Sequence, residues 1–477
     1  MRKRFSNPNR RRRGIATLVT AAFLALMVPL MGLAIDTGIM FAVHSKLSAA
    51  CDAAALAGAR ALVIGADETT QETNAKNTAT EYMALNFPAG YFGIPAVTGA
   101  NGAGASTIDS LTIDTSVSHQ RAVDIVSEVT VNTIFMRWLG VNNLTMKSEA
   151  KAVRRDVNVV LVMDRSGSLS LTGSCEPLKS AAENFVSQFA LGRDNIGLVT
   201  FATASKMNPA DFAPSTSFSS LTTTISSISC SGGTSTALGL YNGYAQLINL
   251  GTAKTSGALN VILLFTDGYP TNITAVYPNG NPGSCFNTTG TLVTTFNIGT
   301  PSDPSTWHPA GMQGLYTPNT PDSTQISNSS GCGYTGTSSL SYIPNTDLYG
   351  STINSGYQSL TTSSGHITLN YQNLDNGSTN AADSMGLRIR HGASLTSVAS
   401  PNGTGVSGSL SGVVTYAIGL GNAGGVADDF LERFANDPRA SNYDNTYATG
   451  LYVEADDTEA LNDAFLRIAS EILRLAK

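Results

Sequence analysis

At 477 residues the chain is long enough for two or three folding units, and its 13% of charged residues is about half the usual share. Residues 1–13 hold seven basic side chains (Arg2, Lys3, Arg4, Arg10, Arg11, Arg12, Arg13) and no acid, so 28 Lys+Arg minus 7 leaves 21 against 34 Asp+Glu, about −13 for the remainder. A body that acidic excludes nucleic acid as a natural partner, and the basic cluster reads instead as a topology signal.

After that cluster, Gly14 to Ile35 carries no charge over 22 residues. At about 1.5 Å per residue this is roughly 33 Å of helix, enough to span a bilayer. The positive-inside rule places residues 1–13 in the cytoplasm and everything after Ile35 outside. The rival is a cleaved signal peptide with Gly32-Leu33-Ala34 as a small-residue site; the length of the stretch favours a retained anchor. Pro29 is tolerable in a membrane helix.

From Phe41 to Val63 the alanine-rich run "FAVHSKLSAACDAAALAGARALV" predicts a continuing helix. Its small side chains suit either close approach of another helix or a stalk packed on its own domain. A polar helix follows over Glu68–Leu85, then a Gly/Ala/Ser-rich loop over 88–108. Residues 109–153 read as strands, with Trp138 and Phe135 as material for a small core. Domain segmentation up to this point is therefore 1–13, 14–35 and 36–153.

From Asp156 to Lys477 the pattern alternates strands and helices. In "VNVVLVMD" (157–164), Val157, Val159, Val160, Leu161, Val162 and Met163 read as a strand buried on both faces, "LNVILLFTD" (259–267) reads as another, and each stretch ends on an acid. Leu178, Ala181, Ala182, Phe185 and Phe189 recur at helical spacing before the strand "NIGLVTFA" (195–202). A helix near 236–250, a strand at 413–421, a helix near 426–436, a strand at 450–455 and a last helix at 457–475 complete an α/β class: a mostly parallel sheet with helices on both faces. An insertion of about 270–378 interrupts it. It has no lysine or arginine and seven tyrosines from Tyr277 to Tyr371, a composition of binding loops or of a solvated spacer.

A buried strand has no internal use for a carboxylate, and open α/β sheets put ligands at the C-terminal strand ends. Asp164, Ser166 and Ser168 offer three oxygens from one turn, a donor set for a hard divalent cation. Asp114-Thr115-Ser116-Val117-Ser118 has the same spacing but neither a buried parallel strand before it nor a helix after it, and reads as surface. Around Asp164 the sequence also places Thr234 on the glycine-rich "SGGTSTALG" loop and Asp267 in "FTDG". With these residues the chain resembles the von Willebrand factor A family, whose metal-ion-dependent adhesion site is D-x-S-x-S, a threonine and an aspartate. The resemblance implies a Rossmann-like fold and a metal site of Asp164, Ser166, Ser168, Thr234 and Asp267 for Mg²⁺ (or Mn²⁺ or Ca²⁺). It also implies a protein partner that gives an acidic side chain as the last ligand, or else a metal serving stability alone.

The N-terminal half is similar to TadG-like proteins of the Tad/Flp pilus-assembly system. The shared features are the basic start, the apolar span, Asp36-Thr37-Gly38 and the small-residue helix with "DAAALAGA" from Asp52 to Ala59. The start also resembles a type IV prepilin, but Val19 stands five residues after Gly14 where that family has glutamate, which speaks against such processing. An exported domain permits disulfides; 175–230 and 285–332 are the favoured pairs over the two alternatives, with Cys51 free.

Enzyme chemistry has no foothold. The histidines at 44, 119, 308, 366 and 391 lack metal-ligand spacing, and no nucleophile elbow or P-loop occurs. Asp428-Asp429 and Asp456-Asp457 precede helices and suit N-terminal positions. The reading is a single-pass bacterial inner-membrane protein, periplasmic or surface-exposed beyond the span, acting with other pilus-assembly proteins. The alternative is a cytoplasmic partner of an AAA+ ATPase, as in metal-chelatase complexes.

Overall fold

The computed structural model describes residues 9–95, 97–98, 106–207, 217–278, 287–297, 308–318, 326, 340–354, 356–395, 406–421 and 428–476. They form two compact units, divided at residues 154 and 155 except that 118–120 belong to the second.

In the first unit, α1 (Asn9–Ala61) is one continuous helix of 53 residues with Pro29 inside it. Among the described residues it is the one helix long and apolar enough to cross a membrane, by length and composition. Up to Ile35 its large side chains stand exposed, among them Leu18, Phe23, Leu26 and Met31. Beyond that point the small-residue face is buried. Val43, Leu47, Ala50, Ala54 and Ala55 share a core with Ala75, Ala79 and Met83 of α2 (Glu68–Asn86). A Cβ on Gly58 would stand 3.1 Å from the Ala79 Cβ, so the small residues serve a helix of the same unit. Asp67 caps α2 by accepting from the Thr70 N–H at 2.8 Å.

β1 (Ser106–Asp114), β2 (Gln120–Asn132) and β3 (Asn143–Arg155) form a sheet in that order. Alternate residues of β2 (Val123, Ile125, Val129, Val131) enter the core, as period-two patterning requires. Trp138 and Phe135, expected there, are not in it: Trp138 is 87% exposed. They lie on the β2–β3 connection, whose backbone is held from outside the core by the Asp36 carboxylate. Asp114 ends β1, accepts from the Ser116 N–H at 2.9 Å and pairs with Lys151 at 3.4 Å, a neutralised surface carboxylate.

The second unit begins β4 (Val157–Asp164), α3 (Gly167–Leu171), α4 (Cys175–Val186), β5 (Asn195–Phe201), β6 (Ser205–Met207), α5 (Ser219–Ser226), α6 (Thr236–Asn249), α7 (Thr252–Thr255) and β7 (Leu259–Thr266). The insertion supplies β8 (Asn272–Pro278), β9 (Asn287–Asn297), β10 (His308–Tyr316) and the short pair β11 (Thr362–Ser363) and β12 (His366–Ile367). α8 (Tyr371–Arg390), β13 (Val414–Leu420), α9 (Asp428–Ala435), β14 (Tyr452–Ala455) and α10 (Ala460–Leu475) complete it.

The main sheet has the order β14-β13-β7-β4-β5-β6 and is parallel except for the β5–β6 edge pair. β4 sits inside it, and its side chains divide by parity. Val157, Val159, Leu161 and Met163 meet Leu178 and Phe185 of α4 and Phe465 and Ile468 of α10. Val160 and Val162 join a second core with Leu240 and Tyr244 of α6 and Met385 of α8. Two hydrophobic layers on one sheet explain why the strand is apolar at both parities from Val159 to Met163.

The described part of the insertion is not loop alone. β8, β9 and β10 make an antiparallel sheet in the order β10-β9-β8. Ile273, Tyr277, Leu292, Leu315, Ile343, Tyr349, Ile353 and Ile367 are buried in the same core as α6 and α8. Two of the tyrosines are structural: the Tyr277 hydroxyl donates to the Ile273 carbonyl at 2.8 Å, and Tyr349 stacks on Tyr241 at 4.2 Å. The proposed pair 285–332 lies outside the described residues.

Candidate metal centre

The C-terminal ends of β4 and β7 bring Asp164 and Asp267 to one edge of the sheet, because the two strands pair in register from Val157–Leu259 to Met163–Phe265. Backbone bonds then fold the loops onto each other. The Gly167 N–H donates to the Gly232 carbonyl at 2.9 Å and the Ser231 N–H to the Arg165 carbonyl at 2.7 Å. A Cβ on Gly167 would stand 3.3 Å from that Gly232 oxygen, so glycine permits the approach. Gly232 itself has φ +93°, in the region that favours glycine.

Asp164 is fully buried. One carboxylate oxygen accepts from the Ser166 N–H and the other from the Thr266 hydroxyl, both at 2.7 Å. The Ser166 and Ser168 hydroxyls are 2.9 Å apart. Both point to one oxygen of Asp267, Ser168 at 2.8 Å and Ser166 at 3.4 Å. Ser168 and Asp267 keep part of their surface in solvent, so the cluster has a closed side at Asp164 and an open side.

Thr234 is placed by its neighbours. Its N–H donates to the Thr271 hydroxyl, and its carbonyl accepts from the Thr271 N–H, both at 3.0 Å. The Gly233 N–H donates to the Thr203 hydroxyl at 2.9 Å, while Ser235, at the head of α6, bonds back to Ala202 and Thr203. Four predicted residues (Asp164, Ser166, Ser168 and Asp267) are thus joined by direct bonds, and Thr234 by the loop contacts that surround them. The Cys175–Cys230 disulfide spans the same edge with a Cα–Cα distance of 6.2 Å, as the sequence reading favoured, and Cys51 is free and buried.

Burial pushes the Asp164 carboxyl up to about 6. Burial, with the Asp164 charge added to it, raises Asp267 to about 7. Two carboxylates gathered around one pair of hydroxyls is a charge arrangement that a cation relieves. The donors are all oxygens, as a hard divalent ion requires, so the residues fit such an ion. Among the described residues no three of His, Cys, Asp and Glu cluster as ligands, and this centre draws on hydroxyls instead.

Three supporting residues escape a sequence reading: Thr266, Thr271 and Thr203 are buried hydroxyls behind the site. Thr266 alone carries a signal, being the polar residue before Asp267 at the end of an apolar strand. In the acid pairs at the starts of the last two helices, one member of each bonds locally. The Glu459 and Ala460 N–H groups donate to Asp457 at 2.9 Å at the start of α10, and the Phe430 N–H donates to Asp429 at 2.9 Å in α9.

Residues 158–299 match the von Willebrand factor type A domain family. The second unit contains a von Willebrand factor A domain. Residues 14–61 match the Flp pilus-assembly TadE/G-like family. Of solved structures, the pilus adhesin SpaC from Lactobacillus rhamnosus GG in its open conformation is 16% identical with a TM-score of 0.37 over 79% of this chain. This chain spans 36% of that adhesin's length. The PilB minor pilin from Streptococcus sanguinis is 14% identical, TM-score 0.35, over 77% of this chain and 78% of its own. The vWF domain of the type V pili tip protein Mfa5 from Porphyromonas gingivalis is 18% identical, TM-score 0.35, over 68% of this chain and 98% of its own. Likenesses this distant carry no functional argument. No protein of curated function matches the chain.

Proposed function

We propose that this chain is a membrane-anchored, exported von Willebrand A protein that works in Tad/Flp pilus assembly or adhesion by cation-dependent protein binding. The observation that carries the reading is the convergence of Asp164, Ser166, Ser168 and Asp267, with the Thr234 loop bonded beside them, at the C-terminal edge of the sheet. Those five residues would hold Mg²⁺, or Mn²⁺ or Ca²⁺ in its place. When bound, the ion supplies an electrophilic site for a carboxylate of the partner.

The chain's own groups divide the work. Asp164 is fixed on both oxygens by Ser166 and Thr266, so it anchors the closed side. The serine hydroxyls are neutral donors and add no negative charge to that of the two carboxylates. Asp267 and Ser168 border the open side, where an acidic side chain of a pilus component can enter. The TadE/G-like match over 14–61 supports the pilus setting, and the exposed apolar half of α1 supports the anchor.

Mn²⁺ titration of the purified full chain tests the site: one ion should bind, and Asp164→Ala should abolish it. Unchanged titration in that variant rejects the assignment. Alkaline phosphatase fused after Lys477 tests the setting, because activity outside the cytoplasm supports export and activity inside supports the ATPase-partner alternative.

A further inference from the structure

The connection between β2 and β3 has an unusual makeup for an acidic protein. From Thr133 to Asn143 it reads TIFMRWLGVNN, with one arginine and no acid. Trp138 is 87% exposed, Leu139 72%, Ile134 53% and Phe135 37%. Single exposed apolar residues are ordinary, but four large ones within six positions form a patch that water alone does not explain.

The patch is built, not frayed. The neck is closed by the Thr133 N–H donating to the Asn142 carbonyl at 3.1 Å, and Gly140 makes the turn with φ +90°. Asp36 is 2% exposed and accepts the N–H groups of Ile134, Phe135 and Met136 at 3.0, 2.9 and 2.7 Å. Asp36 is the residue directly after the uncharged 14–35 stretch, so the loop is clamped where that stretch ends. Phe135 reaches one turn further back. It covers Gly32, where a Cβ would stand 2.6 Å from the Phe135 ring. Glycine there lets an aromatic ring lie against the apolar half of α1.

An apolar loop with an exposed tryptophan and an arginine, fixed at the end of a membrane span, has the composition of the bilayer interface. Indole prefers the headgroup level, and guanidinium suits lipid phosphate. The surface is continuous with the apolar face of α1, which favours lipid over a protein partner. Resting on the reading of α1 as a span, we propose that the Asp36-clamped loop 133–139 docks in the outer lipid interface, with Trp138 at headgroup depth, and so fixes how the first unit stands on the membrane.

The test uses the full chain with Trp307→Phe, which leaves Trp138 as its single indole, in phosphatidylcholine vesicles. Flotation after an alkaline wash reads the span; Trp138 fluorescence reads the loop. Docking predicts emission at shorter wavelength than a hydrated indole and stronger quenching by a nitroxide near the lipid glycerol than by one at the chain end. Asp36→Ala should restore quenching by aqueous iodide while flotation persists. Should that variant misfold, Trp138→Phe with Leu139→Trp moves the probe without touching Asp36, and the new indole should also be quenched from the lipid. Vesicles that float with Trp138 open to iodide overturn the docking and leave the anchor standing. Failure to float overturns both. Trp138 shielded from lipid and iodide alike, with copies cross-linking through the loop, assigns the patch to protein contact and overturns the proposal.

Discussion

Thr266→Val replaces a hydroxyl by a methyl at nearly constant volume, in a position that is 0% exposed. It deletes the 2.7 Å donation to the buried oxygen of Asp164, together with the longer contacts of the same hydroxyl with the Gly268 carbonyl at 3.1 Å and the Gly268 N–H at 3.3 Å. A hydrogen bond to a charged group contributes about 1.5–3 kcal/mol, and an unsatisfied buried acceptor brings the loss toward the upper end. Thr266 bonds none of Ser166, Ser168 or Asp267 directly, so the main consequence falls on Asp164, which loses its orientation. Partners that orient a metal ligand are worth about 10–100-fold in affinity, which is the expected loss for Mn²⁺. Calorimetric titration of the full chain gives the affinity, and melts with and without chelator give the stability. In the metal-free protein the lost bond also raises the Asp164 pKa further, so the destabilisation should be smallest at low pH. An affinity within about twofold of the parent, with wild-type protein binding normally, would refute the claim that Asp164 is held for the ion.

Other outcomes follow from the same contacts. Asp164 and Asp267 have folded pKa values raised above 3.8, to about 6 and about 7, so the stability they contribute is present below about pH 4 and lost as pH rises through those values. Chelator-treated protein should therefore melt lower at pH 8 than at pH 5, and saturating Mg²⁺ should remove most of that slope; a flat chelated profile contradicts it. Asp114→Ala should leave the metal titration unchanged, since that carboxylate is engaged by the Ser116 N–H and by Lys151, which it shares with Asp124. Ile353→Ala, at a fully buried position of the insertion, should cost about 2–5 kcal/mol in denaturant unfolding, and deleting 287–367 should unfold the second unit; a deletion protein that melts normally makes the insertion a spacer. Cys175→Ser with Cys230→Ser opens a loop of sequence separation 55 and should cost about 4 kcal/mol by the chain-entropy relation, read as the difference between parent and variant melts.

Much of the second unit was legible because two periodicities coincide with chemistry there. β4 and β7 are largely apolar, with an acid ending the one and directly following the other, and in a parallel sheet the ends of such strands must share an edge. The same logic brings Cys175 and Cys230 to one edge, where they form a disulfide. Thr203 and Thr271 were not legible, since a threonine between strands carries no pattern that separates a surface hydroxyl from one bonded behind a site. The insertion misled for a related reason. Serine, threonine, glycine and tyrosine without lysine resemble solvated loop, yet threonine and tyrosine are also good strand residues, and Tyr277 and Tyr349 are buried with their neighbours.

Trp138 and Phe135 show the opposite error. Aromatic residues beside short strands were assigned to a core because burial is the usual way to remove them from water. Here the core is filled by the alanines of α1 and α2, the valines of β2 and one ring, Phe87. The aromatic side chains were instead turned outward by a carboxylate 98 to 100 residues away in sequence, acting on backbone N–H groups that any residue could supply. No local pattern encodes such a clamp. What the sequence does contain is its result: an acid directly after an uncharged span, and an acid-free apolar turn in an acidic chain. Under the docking proposal the two belong together, because a second apolar phase then adjoins the protein at that level.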